Sequence, residues 1–208
     1  MIAVINYGVG NVQAFVNVYQ RLQIPVMVAS TAEDIKLATK LILPGVGHFD
    51  HAMQSFNKSG LREIVEAQVL EKNIPILGVC VGMQMLASRS DEGAEAGLGW
   101  IQGEVKSLKN FIPTGPKLPL PHMGWNDVVT DMDSPLFRQF ASEDSRFYFL
   151  HSFYFDCDNP NDSCIAKTDY GSGFCCAVSA NNVYGVQFHP EKSHRFGVRL
   201  LKNFAEHG

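Results

Sequence analysis

Three short stretches carry residues whose types and spacing could do chemistry. In "ILGVCVGMQ", residues 76–84, Cys80 stands between Gly78 and Gly82 where an apolar run gives way to a polar, helix-forming one. Glycines on both sides suit a sharp strand-to-helix turn that projects the thiol, and a helix start stabilises negative charge on a nucleophile there. The amide of Val81 would face the same space, a donor for a developing oxyanion. In "YGVQFHPEKS", residues 184–193, a strand pattern runs straight into His189, Pro190 and Glu191. A histidine with a carboxylate two residues on can be a base with its own orienting acid, the arrangement that activates a cysteine. In "LPGVGHF", Gly45, Val46 and Gly47 also follow a buried strand, and their amides could supply a second oxyanion donor. Each piece has a plainer reading: a small buried hydrophobe, a strand-end histidine with a helix-start acid, and an ordinary turn. Only the combination argues for a site.

These residues need a scaffold, and the apolar pattern outlines one. Runs at 1–5, 26–29, 41–43 and 74–79 are nearly continuous, as expected of parallel strands buried on both faces. Between them lie amphipathic stretches: 11–22, with Phe15, Val18, Tyr19 and Leu22 on one face, and 60–72, with Leu61, Ile64, Val65 and Val69. This is the grammar of βαβ units, and ligand sites in such sheets lie at the carboxyl ends of the strands, where Cys80 falls. A helix is expected to begin near Met83. Glycines at 93, 97, 99 and 103 and a proline-rich run at 112–126 then change the texture. Strand patterns follow at 147–150, 153–155, 163–168, 174–178 and 183–187, and a closing helix at 193–207 has Phe196, Leu200 and Phe204 on its inner face. The expected fold is a single α/β domain over 1–208, mostly parallel at its centre, with added antiparallel strands in the C-terminal half.

Composition narrows the function classes. The chain has 208 residues, 46% hydrophobic and 18% charged, with a formal net charge of −4 and scattered basic residues, so nucleic acid and anionic membrane are not expected partners. The opening MIAVINYG lacks a basic start before a long apolar core, and no stretch is long enough to cross a bilayer, so a cytoplasmic protein is expected. Five cysteines at 80, 157, 164, 175 and 176 fit neither a disulfide framework nor a zinc pattern. All are expected to be reduced thiols, with Cys157, Cys164, Cys175 and Cys176 structural. Met83, Met85, Phe147 and Phe149 are expected in the core. Trp125, beside glycine in a segment expected to be irregular, is either folded under or used at an interface.

Read together and in order, "NYGVGNV", "LPGVGHF", "GVCVGMQ", "GLGWIQG", "PHMGWN", "FYFLHSFY", "YGVQFHPEKS" and "LLKNF" span nearly the whole chain. The sequence resembles the class I, triad-type glutamine amidotransferases, and within them the HisH-type glutaminase subunits of imidazole glycerol phosphate synthase. The resemblance implies a catalytic triad of Cys80, His189 and Glu191 that hydrolyses L-glutamine to glutamate and ammonia. Backbone donors at Val81 and at Gly45, Val46 and Gly47 would hold the oxyanion. Gln84, Ser152 and Phe153 match the positions that hold the substrate glutamine. The implied partner is a HisF-like (βα)8-barrel cyclase subunit, met through His122, Met123, Trp125 and Asn126, in a heterodimer that forms imidazole glycerol phosphate and an aminoimidazole carboxamide ribotide in histidine biosynthesis. No metal or organic cofactor is implied. The chain departs from the family pattern at Asn6, where aspartate is usual, in GVCVG, and in the helix 14–22. These departures resemble a paralogous group that supplies ammonia for amidino groups on cell-surface sugars. A catalytically silent regulatory or chaperone-like subunit on the same scaffold is a further alternative, opposed by Glu191 and Gln84.

Overall fold

Continuous apolar runs become the centre of the sheet in a computed structural model that describes residues 1–111, 118–140 and 145–208; part of the proline-rich run, 112–117, lies outside the described residues. The first half supplies β1 (Ile2–Ile5), β2 (Val26–Ala29), β3 (Lys40–Gly45) and β4 (Ile76–Cys80). Between and after them come α1 (Val12–Arg21), α2 (Ala32–Lys36), α3 (Phe49–Lys58), α4 (Arg62–Glu66), which runs on into a π turn at Ala67–Glu71, and α5 (Val81–Gln84). The second half adds β5 (Gly103–Ser107), α6 (Leu108–Phe111), β6 (His122–Asp127), β7 (Val129–Thr130), β8 (Arg146–His151) and β9 (Phe153–Cys157). It ends with α7 (Pro160–Ser163), β10 (Cys164–Asp169), β11 (Gly173–Ala180), β12 (Val183–Val186) and α8 (His194–His207).

Among the described residues, eight strands form one sheet in the order β2-β1-β3-β4-β12-β11-β10-β7. The five strands from β2 to β12 are parallel, and β11, β10 and β7 continue the sheet antiparallel. Two antiparallel ribbons, β5 with β9 and β6 with β8, stand apart from it. The α/β class and its division into a parallel centre and an antiparallel C-terminal part are as the sequence predicts. The parallel centre is what brings the chemistry together: β3 and β12 flank β4, so the loops after all three open at one sheet edge beside Cys80.

Side-chain patterns explain the helices. In α1 the Asn11 side chain accepts a hydrogen bond from the Ala14 amide at 3.3 Å, and Phe15, Val16, Val18 and Tyr19 are buried. In α8, Leu200, Leu201 and Phe204 are buried while Phe196 is only partly covered. Phe188, which leads into His189, is fully buried and stacks on Phe147 with ring centroids 3.9 Å apart. Burying one such ring stabilises the fold by roughly 2–3 kcal/mol.

Several expectations are corrected. Strand β2 is an edge strand with Val28 exposed, so its apolar run does not mark burial on both faces. The short helix after Cys80 begins at Val81, ahead of Met83, because the turn is completed at Cys80 itself. Helix α3 was not anticipated, although Phe49, Ala52, Met53 and Phe56 recur at helical spacing and are buried. The "PHMGWN" segment, expected to be irregular, is strand β6, paired along its length with β8. The cysteines are not all reduced: Cys164 and Cys175 form a disulfide, while Cys80, Cys157 and Cys176 are free. The two bonded residues lie on neighbouring antiparallel strands whose register shifts between Cys164 and Lys167, and their Cα atoms are 5.8 Å apart, within the span a bridge takes.

Candidate active site

Strand β4 delivers Cys80 in a backbone conformation that few residues adopt. Its φ of 56° and ψ of −114° put a non-glycine residue in the left-handed half of the map, a strain that persists only where surrounding structure imposes it. Close packing does so here. A Cβ on Gly82 would strike the Leu43 carbonyl, and one on Gly78 would meet the Gly82 carbonyl at 2.5 Å, so β3, β4 and α5 approach as closely as they do because both positions are glycine. The sulfur lies 3.9 Å from the Leu150 carbonyl oxygen and 3.9 Å from the Gln187 side-chain nitrogen.

His189 arrives from the end of β12 and is locked in place by its backbone. Its amide donates to the Tyr148 carbonyl at 2.9 Å, and the Ser193 hydroxyl donates to the His189 carbonyl at 2.6 Å while accepting from the Tyr148 amide at 3.0 Å. Pro190 starts a 3-10 turn at Pro190–Lys192 that brings Glu191 back against the imidazole. Nδ1 of His189 is 2.8 Å from Oε1 of Glu191, and each side chain is 4% exposed. The second carboxylate oxygen is buried with no hydrogen-bond partner among the described residues, which leaves His189 as the partner of the acid. Cys80 lines the same cleft as His189 and interacts with its imidazole. Burial presses the His189 pKa down, but the hydrogen bonds and charges of Cys80 and Glu191 outweigh it and raise the value to about 10. At neutral pH the ring therefore carries a proton beside the sulfur.

A cleft of about 330 Å³ gathers most of the residues singled out from the sequence. Val46, Gly47, Cys80, Val81, Gln84, Ser152, Phe153 and His189 all line it. Gly45 and Glu191 stand just behind, bordering a much smaller cavity that also touches Val46 and His189. Gly45 pairs with Cys80 across β3 and β4, Val46 is exposed, and Gly47 has a φ of +82°, so the loop after β3 turns on a glycine at the rim of the cleft. Gln84 is buried, not solvated as a plain helix residue would be: its amide nitrogen is 3.0 Å from the Gln187 side-chain oxygen and 3.3 Å from the Phe153 carbonyl.

The four residues of β6 divide. Met123 and Trp125 are exposed, and the Trp125 ring stacks on His194 at 5.2 Å. His122 is covered within this chain, and Asn126 is partly exposed with its side chain engaged by neighbours. His122 is buried between Phe149 and Tyr170, and Asn126 donates to the Asp169 carbonyl and to His122. The alternation of a paired strand turns them inward, which the expectation of a loop could not show. Sequence reasoning also passed over Gln187, Ser193, His151 and Lys192, which anchor or border the cleft. Gln187 and Ser193 lie on either side of His189 inside the stretch 184–193, and that proximity was the available signal.

The arrangement is a strained cysteine, a protonated histidine and a buried acid beside a pocket for a small ligand, sufficient for acyl transfer through a thioester. Among the described residues no helix is long and apolar enough to cross a membrane, and no group of three or more metal-ligating side chains is placed to hold an ion.

The sequence model of the family Glutamine amidotransferase class-I matches residues 3–207. The chain is 58% identical to a protein of Bdellovibrio bacteriovorus named imidazole glycerol phosphate synthase subunit HisH, over 99% of this chain and 100% of that one. It is 49% identical to the protein of the same name from Leptospira interrogans and 47% identical to one named subunit HisH 2 from Pseudomonas aeruginosa, each over 99% of both chains. A solved structure described as a glutamine amidotransferase superposes with a TM-score of 0.75 at 20% identity, covering 99% of this chain and 97% of the other, a likeness of fold.

Proposed function

The chain belongs to the class-I glutamine amidotransferases, and from that premise we propose that Cys80, His189 and Glu191 hydrolyse L-glutamine and that the ammonia passes to a HisF-like (βα)8-barrel subunit in histidine biosynthesis. The observation that carries the reading is the buried 2.8 Å pair of His189 and Glu191 held against a strained Cys80 at one sheet edge.

The sulfur of Cys80 attacks the side-chain amide carbon of glutamine. The carbon–nitrogen bond then breaks as His189 gives its proton to the departing nitrogen, because an amide leaves as ammonia. A thioester to Cys80 remains. His189, now neutral, takes a proton from water, the hydroxide adds to the thioester, and collapse releases glutamate and the thiol. Glu191 holds the imidazole with Nε2 toward the sulfur and steadies its positive charge. The amide of Val81, with one from Gly45, Val46 or Gly47, holds the negative oxygen in both steps. Gln84 spends its N–H groups on Gln187 and Phe153, so its carbonyl oxygen is the group it offers the substrate, beside Ser152 and Phe153. Met123 and Trp125, exposed on β6, are the part of that strand that meets the barrel.

A glutaminase with no acceptor of its own would waste glutamine if it ran alone. The loop at Val46, turning on Gly47, is the element whose peptide could switch on docking. The isolated chain is expected to be weakly active and to rise steeply when the barrel and its acceptor are added. Trp125→Ala is expected to weaken docking more than folding. Complementation of a strain lacking the histidine-pathway glutaminase tests the pathway: growth without histidine supports it. Rescue confined to a cell-surface sugar phenotype would move the chain to the paralogous reading, which the departures at Asn6 and GVCVG favour.

A further inference from the structure

Two buried histidines outside the triad form a chain of hydrogen bonds whose direction can be worked out. His122 of β6 and His151 of β8 are cross-strand partners, 3% and 6% exposed. His122 Nδ1 is 2.9 Å from His151 Nε2, and His151 Nδ1 is 2.7 Å from the Phe153 carbonyl oxygen. A carbonyl only accepts, so His151 Nδ1 carries a hydrogen. Burial pushes the pKa of His151 down to about 3 and that of His122 to about 4, so each ring holds one proton at neutral pH. His151 Nε2 therefore accepts from His122 Nδ1, and His122 Nε2 must accept in turn. It does so from the Asn126 side-chain nitrogen at 3.2 Å. The orientation of Asn126 is fixed separately, since the same nitrogen donates to the Asp169 carbonyl at 2.7 Å and its oxygen accepts from the Asp127 amide at 2.9 Å.

The far end of this chain reaches the cleft. The Phe153 carbonyl also accepts from Gln84, whose nitrogen bonds Gln187, and Gln187 in turn points a side-chain nitrogen at the Cys80 sulfur. Packing alone would not call for two imidazoles. His122 stacks on Phe149 and Tyr170 at 4.7 and 4.0 Å, and a phenyl ring would fill that space without burying polar atoms that then need partners.

We propose that His122 and His151 are positioning residues for glutamine: a one-directional relay from Asn126 through both imidazoles to the Phe153 carbonyl fixes the Ser152–Phe153 turn and, through Gln84, the wall of the cleft that holds the amino-acid end of the substrate. The inference rests on the glutaminase reading above. His151 borders the cleft, but the hydrogen bonds of both imidazoles run to each other, to Asn126 and to the Phe153 carbonyl and not to Cys80, His189 or Glu191, so the relay acts on substrate affinity and leaves the chemical step to the triad. Asparagine in place of His151 keeps a donor where Nδ1 stands, whereas phenylalanine removes it.

The test measures glutamine hydrolysis by the full chain with its barrel partner, together with the protonation of both histidines in the wild-type chain. His151→Phe is expected to raise KM for glutamine about tenfold with kcat within about twofold of wild type, and His151→Asn to bring KM back within about threefold. His122→Phe, which keeps the stacking, is expected to raise KM by an intermediate factor. Long-range nitrogen–proton NMR spectra of the wild-type chain are expected to show both rings as Nδ1–H tautomers, a readout that does not depend on any variant folding. An unchanged KM in folded His151→Phe and His122→Phe, a fall in kcat alone, or Nε2–H tautomers would overturn the relay. A wild-type complex that forms no glutamate would refute the glutaminase reading instead, and the tautomers would still judge the hydrogen-bond chain.

Discussion

Two cavities of similar size are each lined by cysteine, and they differ in what surrounds the sulfur. The cleft of about 330 Å³ holds Cys80, and a second cavity of about 400 Å³ is lined by Cys157, Cys164 and Cys175. In the first, a histidine raised to a pKa of about 10 and its buried acid stand against the thiol. In the second, two sulfurs are tied in a disulfide, and burial with the nearby Asp156 and Asp158 pushes the Cys157 thiol up to about 11. Cysteine in a pocket is thus not a nucleophile by position. In the proposed mechanism a histidine with its own acid makes it one, and the C-terminal half of the chain places that pair by running β12 beside β4.

The largest expected effect comes from removing the privileged cysteine. Cys80→Ala is predicted to lower partner-stimulated glutamine hydrolysis by a factor on the order of 10⁴ or more, while Cys157→Ala stays near wild type; steady-state assays of both, side by side, test the contrast. Next come the groups that distinguish the two cavities. His189→Asn is predicted to lower kcat by orders of magnitude, and Glu191→Gln to cost less, because the acid orients the ring without taking the proton. Equal losses in the two variants would contradict that division of roles.

Protonation gives a prediction of intermediate size. The folded pKa of His189 is raised, so its contribution to stability is fully present below the unfolded value of about 6.5 and is lost as pH rises toward about 10. The folded values of His122 and His151 are depressed, so theirs is present above about 6.5 and lost as pH falls toward about 4 and 3. Denaturant unfolding across pH should show both flanks, with the alkaline one reduced in Glu191→Gln and the acid one in His122→Phe. The smallest functional effect is expected at the second cavity. Replacing Cys164 and Cys175 by serine is predicted to cost about 2–3 kcal/mol of stability and to leave kcat/KM within about twofold.

The same contrast shows what the sequence made legible. Strands β1, β3 and β4 could be read because burial on both faces demands unbroken apolar runs, and the candidate site stood out because close packing and strain restrict residue type at Gly78, Cys80 and Gly82, and the proposed chemistry does so at Cys80, His189 and Glu191. Strand β6 could not be read: proline precedes it and Gly124 interrupts it, at a φ of +126°, and both residue types are turn signals that mask the alternation of the strand. The disulfide was hidden for a different reason. Its two cysteines are 11 residues apart on adjacent strands, and their closeness depends on a register shift that no local pattern records. The histidine relay joins strands 29 residues apart and exists only once their pairing is known.

The most direct test of the central claim is active-site labelling with an electrophilic glutamine analogue in the presence of the barrel partner, read by intact mass and peptide mapping. The account predicts one adduct per chain, on Cys80, suppressed by L-glutamine and nearly absent in His189→Asn. An adduct on Cys157 or Cys176, or labelling of Cys80 that L-glutamine does not suppress, would contradict it.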